Sequence, residues 1–249
     1  MSKKAQLTIF IILAIAIVAV LLVLFLPRIK TFISPASPEN YVKGCIEDKM
    51  QEDNIIERIS LQGGSLEPKN YILYQSNKVD YVCYTDEYLK KCMMQKPVLK
   101  QEIESEINGY VAPVAESCIN KLKKQLEDKG SSVSLGKIVS SVSINPDAIL
   151  IDVNAQMSVT KEGTSSYNKF RINIQSKLYD LIMISSSIAN WEARYGDSES
   201  MAYMLYYPNI KVEKKKQGDG STIYILTHRI SNDKFQFASR SLVIPEGYR

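Results

Sequence analysis

The chain has 249 residues and a formal net charge of +4. This length is enough for one or two domains with a sizeable core, and the small positive excess argues against a nucleic-acid partner. With 45% apolar and 23% charged residues, the composition excludes a disordered chain, a collagen-like chain and a multi-span membrane protein.

The clearest feature of the sequence is an apolar run near the N-terminus. Between Leu7 and Leu26 the only polar side chain is that of Thr8, and a helix of this length crosses a hydrocarbon layer of ~30 Å. The run ends at Pro27 without the small-residue cleavage site of a secretory signal peptide. We therefore expect a retained transmembrane helix over residues 7–27, in contact with the lipid bilayer, after a cytoplasmic tail or leader of residues 1–6.

The charges beside this segment barely decide its orientation, because Lys3 and Lys4 precede it while Arg28 and Lys30 follow it. The tail is too short to fold, and an even number of cysteines, four, suits an oxidising compartment. The expected localisation is the cell membrane, with one span, a cytoplasmic N-terminus and an extracellular portion from residue 28 onward.

The residues before the apolar run also carry a resemblance. Lys4-Ala5-Gln6-Leu7, followed directly by the run, resembles an archaeal class III signal peptide of the type IV pilin-like kind. The resemblance implies cleavage between Ala5 and Gln6 and a retained helix that can pack in the centre of a filament. Where that family has a glutamate at the fifth residue after the cut, this chain has Phe10.

A looser similarity is to uncharacterised membrane-anchored archaeal surface proteins, and it implies no activity. It rests on the anchor, a following Cys-bearing helix, Gln62-Gly63-Gly64 and a late strand at Phe235-Gln236-Phe237-Ala238.

Residues 28–37 are expected to form a short stalk, because prolines at both ends prevent a continuous helix. Ser37-Pro38-Glu39 is typical of a helix start, with an N-cap, a proline at the first position and an acid in the first turn. Apolar residues then recur at helical spacing up to Gly63-Gly64, which supplies a stop. The sequence predicts one helix from Pro38 to this glycine pair.

Two aromatic runs, Tyr71–Tyr74 and Tyr81–Tyr84, predict a hairpin with its turn at residues 75–78. Thr85 is expected to begin a brief helical turn that reaches Cys92.

A long amphipathic helix is expected from Pro97 to Lys129. Apolar residues follow steps of three or four from Leu99 to Leu126, and Gly130 ends the pattern. Pro113 lacks the N–H that an interior helical position needs, so we expect a kink there.

The segment from Ser131 to Ser176 is rich in Val, Ile, Ser and Thr and alternates in polarity, which predicts three antiparallel strands. A helix over residues 177–195 is expected to lie on that sheet, and further strands are expected near residues 209–214, 221–229 and 234–243. The fold class is therefore α+β. We expect a helical, cysteine-containing part over residues 38–130 and a β-rich part over residues 131–249.

The four cysteines allow three pairings. We favour Cys83 with Cys92, which closes a small loop, and Cys45 with Cys118, which joins two helices through their apolar faces. Free buried thiols are the alternative. A zinc site is disfavoured, because the sequence has neither closely spaced cysteine pairs nor a neighbouring histidine.

No motif in the sequence predicts catalysis or a cofactor. His228 is the single histidine and has no nucleophile signature to accompany it, so we interpret it as a surface or half-buried strand residue. Gly63-Gly64 lacks the context of a phosphate-binding loop. No N-x-[ST] glycosylation acceptor occurs.

Two groups of side chains are candidates for binding. Lysines at the C-terminal hairpin can touch anionic lipid or glycan, although a solvated hairpin tip is the simpler interpretation. The many tyrosines can stack on sugars or face a partner, although half-buried strand tyrosines need no ligand. The lysines are Lys211, Lys214, Lys215 and Lys216, and the tyrosines include Tyr71, Tyr74, Tyr81, Tyr84, Tyr203, Tyr206 and Tyr207.

Three functions follow as hypotheses. The first is a non-enzymatic, membrane-anchored cell-surface domain that binds or supports a cell-envelope or protein partner. The second is a pilin-like filament subunit. The third is an anchored hydrolase, which requires a concave site with convergent polar groups.

Overall fold

The computed structural model describes residues 37–243. The expected tail, transmembrane helix and Ala5–Gln6 processing site, and the stalk up to residue 36, lie outside the described residues. Within residues 37–243, no helix is both long enough and apolar enough to span a membrane. From Val42 onward the described chain forms one compact unit.

The first expected helix is two helices, α1 (Pro38–Glu52) and α2 (Ile55–Leu61). Asn54 separates them in the left-handed conformation, with φ of 48°, which asparagine tolerates better than most residues. The single uninterrupted helix was therefore a wrong prediction. The stop is confirmed, because Gly63 and Gly64 both have positive φ and the Gly64 N–H donates to the Ile59 carbonyl over 2.8 Å.

The hairpin is confirmed as β1 (Tyr71–Tyr74) and β2 (Asn77–Tyr84). Tyr74 pairs with Asn77, so the turn is two residues, Gln75 and Ser76, and both have positive φ. A two-residue turn of this kind matches the strand twist, and the four-residue turn predicted from the sequence was too long.

The helical turn expected after Thr85 is wrong. The described residues 85–92 bend and turn instead, and Thr85 Oγ1 accepts a hydrogen bond from the Glu87 N–H over 3.2 Å. Such a side-chain bond offers the backbone an alternative to helix. A short strand, β3 (Met93–Met94), follows and pairs with the end of β2.

The long helix is confirmed as α3 (Leu99–Asp128), with Pro113 inside it. Its buried face runs from Leu99 to Leu122, with Ala115 in the place expected for Val114. Three long antiparallel strands follow as predicted and form one small sheet: β4 (Ser132–Asn145), β5 (Ala148–Thr160) and β6 (Thr164–Gln175). α3 packs on β4.

The larger sheet has six strands and includes the C-terminal β7 (Ile210–Lys216), β8 (Ser221–His228) and β9 (Lys234–Arg240). Its order is β1-β2-β9-β8-β7, with β3 beside β2. The β2–β9 pairing is parallel, whereas the other pairings of the sheet are antiparallel. This pairing joins residues 38–130 and residues 131–249 in one sheet, although the sequence had assigned them to separate parts.

The helix expected over 177–195 is α4 (Leu178–Tyr195). It packs mainly against β9, β8 and β2 of the six-stranded sheet, so its expected position on the three-stranded sheet was wrong. The reason is that β8 and β9 present large side chains to it, among them Tyr224 and Phe237, which are fully buried. A short helix that the sequence analysis missed, α5 (Ser200–Tyr206), follows and packs along β7.

Two disulfides are present, and they join the pairs that the sequence favoured. Cys45–Cys118 connects α1 to α3 with a Cα–Cα distance of 6.0 Å. Cys83–Cys92 connects β2 to the residue before β3 with a Cα–Cα distance of 5.3 Å.

Candidate ligand-binding groove

The two faces of the six-stranded sheet differ in what covers them. Side chains directly opposite each other across strands share a face, and Tyr224 pairs with Phe237 on the face that α4 covers. Glu213, Ile225 and Gln236 form a row on the other face. That second face is only partly covered, and the candidate site lies on it.

A groove of about 910 Å³ lies on this second face. α2 forms one wall, and the Gln236 amide holds it to the sheet by donating to the Leu61 carbonyl. The tip of the β1–β2 hairpin forms another wall through Tyr74 and Asn77. The ends of β7, β8 and β9 form the floor.

The groove combines an apolar floor with a polar rim. Ile225 and Tyr74 are half-buried and pack against the cluster formed by Val79, Tyr81, Ile223 and Ala238. The rim carries hydrogen-bonding side chains from α2, the β1–β2 hairpin, β7 and β9, namely Glu57, Gln75, Asn77, Lys215 and Lys234. A ligand there meets a ring face and a branched aliphatic side chain below and amide, carboxylate and ammonium groups around it.

The carboxylate of Glu213, in the floor of the groove, is held in place by two lysines. Its carboxylate lies 3.0 Å from Lys211 Nζ and 3.5 Å from Lys215 Nζ. The hydrogen bond from Lys211 is the main cause that holds the pKa of Glu213 below its usual value, and Lys215 adds to it. Glu213 is therefore an anion at neutral pH.

The lysines singled out in the sequence do not form one basic patch. Because side chains alternate along β7, Lys211 and Lys215 share the groove face with Glu213. Lys214 points to the opposite face, where its Nζ pairs with Asp197 and donates to the Ser198 carbonyl over 3.0 Å.

Asp233 closes one end of the groove and caps α4. Its Oδ2 accepts hydrogen bonds from Ser176 Oγ, over 3.1 Å, and from the Lys177 backbone N–H. This carboxylate satisfies the Lys177 N–H, a backbone donor at the start of the helix. It fixes the groove to the first turn of α4.

A second polar cluster lies beneath α4, on the covered face. The Tyr224 hydroxyl donates to Glu192, whose side chain is only 2% exposed. Burial raises the pKa of Glu192, and burial together with the Glu192 charge raises the pKa of Tyr224. The cluster holds α4 on the sheet, and the small cavity beside it measures about 190 Å³.

The Gly63-Gly64 loop is also held by a partly buried ion pair. Lys96 Nζ lies 2.6 Å from Asp80 Oδ2 and donates to the Gly63 carbonyl over 3.2 Å. Burial raises the pKa of Asp80, and the Lys96 hydrogen bond opposes that rise. The loop therefore ends α2, as the sequence predicted, and the ion pair holds it against β2.

His228 is buried, deeper than the sequence interpretation had placed it. Its Nδ1 accepts a hydrogen bond from the Ser231 N–H over 3.2 Å, which closes the turn before β9. It does not line the groove.

The tyrosines divide between several places. Tyr74 lines the groove, while the buried Tyr81 hydroxyl lies 2.7 Å from Ser221 Oγ. The Tyr203 hydroxyl bonds Ser187 of α4, while Tyr206 at the end of α5 and Tyr207 just after it are exposed.

Sequence reasoning named Tyr74 and Lys215 but missed the rest of the groove. Its members come from residues 56–77, 176–178 and 213–236, and a spacing argument along the chain does not bring such distant segments together. The sequence did contain one signal for the groove, the strand from Ile223 to Thr227. The side chains of this strand that face away from α4 remain partly apolar.

Within residues 37–243, no three His, Cys, Asp or Glu side chains come together as a metal site. Comparison of the chain with known protein families, curated proteins and solved structures gave no match.

Proposed function

We propose that this protein is a single-pass, membrane-anchored domain that binds a ligand outside the cell through the groove on the six-stranded sheet. The groove itself is the observation that carries the binding function, because pockets of a few hundred to about 1,000 Å³ are typical of ligand sites. The apolar run at residues 7–26 supports the anchor. The two disulfides support an oxidising exterior.

The chemistry of the groove favours a sugar chain. A pyranose ring has an apolar face that stacks on an aromatic ring and hydroxyl groups that bond to carboxylate and amide side chains. Tyr74 supplies the ring, and Glu57, Gln75 and Asn77 surround it. The groove is open to solvent, which suits a polymer of the cell envelope.

The ligand is tested by applying the fluorescently labelled full-length protein, in mild detergent, to an array of defined polysaccharides. We expect binding to at least one of them, and a loss of affinity of about five-fold or more for Tyr74→Ala. The magnitude is taken from the stacking of a nucleic-acid base on one aromatic ring, which is worth roughly 1–3 kcal/mol.

Tyr71→Ala is the matched control. Tyr71 lies in the same strand, but its side chain is on the other face, where Lys78 Nζ sits 5.1 Å from its ring centroid. An equal loss in both variants, or no polysaccharide bound by the parent protein, contradicts the proposed ligand.

The filament alternative keeps one observation in its favour, the Lys4-Ala5-Gln6-Leu7 sequence before the apolar run. N-terminal peptide mapping of protein from membranes decides whether the mature chain starts at Gln6. A start at Gln6 together with self-association in detergent supports the filament, whereas a monomer with its anchor intact supports the binding domain.

A further inference from the structure

The side of the molecule opposite the groove exposes a second surface, which we call the α4–α5 face. It consists of the outward side of α4 and the adjoining α5. Its large side chains are apolar and aromatic, and Ser186, Ser187 and Asn190 lie among them. Its exposed members are Met183, Trp191, Tyr195, Met201, Leu205, Tyr206 and Tyr207.

α5 is the unusual part of this face. Its sequence is Ser-Met-Ala-Tyr-Met-Leu-Tyr, yet none of these residues is buried. Leu205 is 81% exposed and Tyr206 is 80% exposed. A helix normally turns its apolar side chains toward a core, so the exposed side of α5 is a candidate contact surface.

The two helices form one continuous surface. The hydroxyl of Tyr203 in α5 lies 2.8 Å from Ser187 Oγ in α4. Trp191, one turn further along α4, stacks on Tyr195 with ring centroids 4.5 Å apart. An open depression of about 720 Å³ runs along this side of α4, between Met183 and Arg194.

Few charges interrupt the face. From Met183 to Tyr207 the charged side chains are Glu192, Arg194, Asp197 and Glu199. Glu192 is buried and Asp197 pairs with Lys214, and Glu199 accepts from the Met201 N–H at the start of α5. Arg194 lies at the end of the face, and the Lys91 ammonium donates to its carbonyl over 2.8 Å.

We propose that the α4–α5 face rests in the interfacial region of the lipid bilayer. Tryptophan and tyrosine rings with an apolar body and a polar edge are the residues that this region favours. The exposed Leu and Met side chains enter the acyl boundary, and Arg194 and Lys91 reach the headgroups.

We prefer the bilayer to a second protein as the partner of this face, because the sequence places a bilayer close by. This inference rests on the proposed anchor at residues 7–27, and the ten residues 28–37 that follow span at most about 36 Å when fully extended. The described domain is therefore confined near a bilayer surface. Binding by this face turns the groove floor away from the membrane, since Ile225 and Gln236 lie on the face of the sheet that α4 does not cover. Only the first turn of α4 reaches the groove.

Trp191 is the only tryptophan of the chain, so its fluorescence reports on this face alone. The full chain is reconstituted in phosphatidylcholine vesicles, with and without half of the lipid brominated near the glycerol end of the acyl chains. We expect the protein to float with the vesicles and the bromolipid to quench at least half of the Trp191 emission.

A double variant, Leu205→Ser with Tyr206→Ser, is expected to reduce this quenching at least two-fold while Trp191 remains in place. Leu73→Ser is the matched control, because Leu73 is 67% exposed on β1, which lies at the opposite end of the sheet from β7 and α5. This variant is expected to leave the quenching unchanged. Equal effects of the two variants contradict the proposal.

Three further results overturn it. Floating protein whose emission the bromolipid does not quench overturns the α4–α5 face as a membrane surface and leaves the anchor standing. A blue shift that grows with the protein-to-lipid ratio, without quenching, assigns the face to a second copy of the chain. Protein that does not float at all overturns the anchor as well.

Discussion

The two disulfides close loops of very different length, and this difference predicts different losses of stability. Cys45–Cys118 spans a sequence separation of 73 residues, whereas Cys83–Cys92 spans 9. In the chain-entropy relation, cross-linking removes more entropy from the unfolded state as the loop grows. The relation gives about 4.4 kcal/mol for the longer loop and about 2.6 kcal/mol for the shorter one at 25 °C.

The experiment compares two double variants of the full chain, Cys45→Ala with Cys118→Ala and Cys83→Ala with Cys92→Ala. Each removes two sulfur atoms, so the loss of packing is broadly common to both. The difference between them, about 1.8 kcal/mol, reports on loop length. Urea unfolding in mild detergent, followed by circular dichroism at 222 nm, measures both free energies of unfolding.

Removal of Cys45–Cys118 is expected to destabilise the protein more. If the Cys83–Cys92 variant loses as much free energy of unfolding or more, the loop-entropy reasoning is refuted. Local packing around the short loop, which ties β2 to β3, then dominates.

Three further perturbations follow from the buried groups. Lys96→Met leaves the Asp80 carboxylate partly buried without its partner and is expected to cost about 3 kcal/mol in urea unfolding; an unchanged midpoint contradicts this. Gly63→Ala places a Cβ 2.9 Å from the Asp80 Cβ at a positive φ and is expected to lower the free energy of unfolding by at least about 1–2 kcal/mol. Its control, Gly109→Ala, lies in open space inside α3 and is expected to raise the free energy of unfolding by about 1 kcal/mol. Burial raises the pKa of Glu192 above 4.5, so the folded state keeps the carboxyl proton to a higher pH than the unfolded state does. The free energy of unfolding therefore falls as the pH rises from about 4.5 through the raised pKa. Glu192→Gln is expected to remove this part of the pH dependence, and identical pH profiles of the variant and the parent refute it.

The local elements were the most predictable part of the fold. The long helix followed from apolar residues every three or four positions, with Gly130 after it, and the three strands between Ser131 and Ser176 followed from alternation. Both signals are local, because they depend on the helical and strand periods. The break at Asn54 and the short α5 were missed, since each involves too few residues to establish a period.

The pairing of strands that lie far apart in the chain was harder to predict from the sequence. The sequence treated the parts before and after Gly130 separately, but β2 pairs in parallel with β9 across more than half of the chain. No periodicity specifies which strand lies beside which. The cysteine pairing could be favoured in advance, because only three arrangements exist for four cysteines.

The amino-acid sequence alone determined the α+β class, the apolar segment at residues 7–26 and the positions of most helices and strands, because these depend on the composition and order of neighbouring residues. The tertiary structure decided where α4 packs, that Lys211 and Lys214 lie on opposite faces, and that Tyr74, Glu57 and Gln236 border one groove. Those features depend on which surfaces fit together once the strands pair, and residues far apart in the chain become neighbours only through that packing.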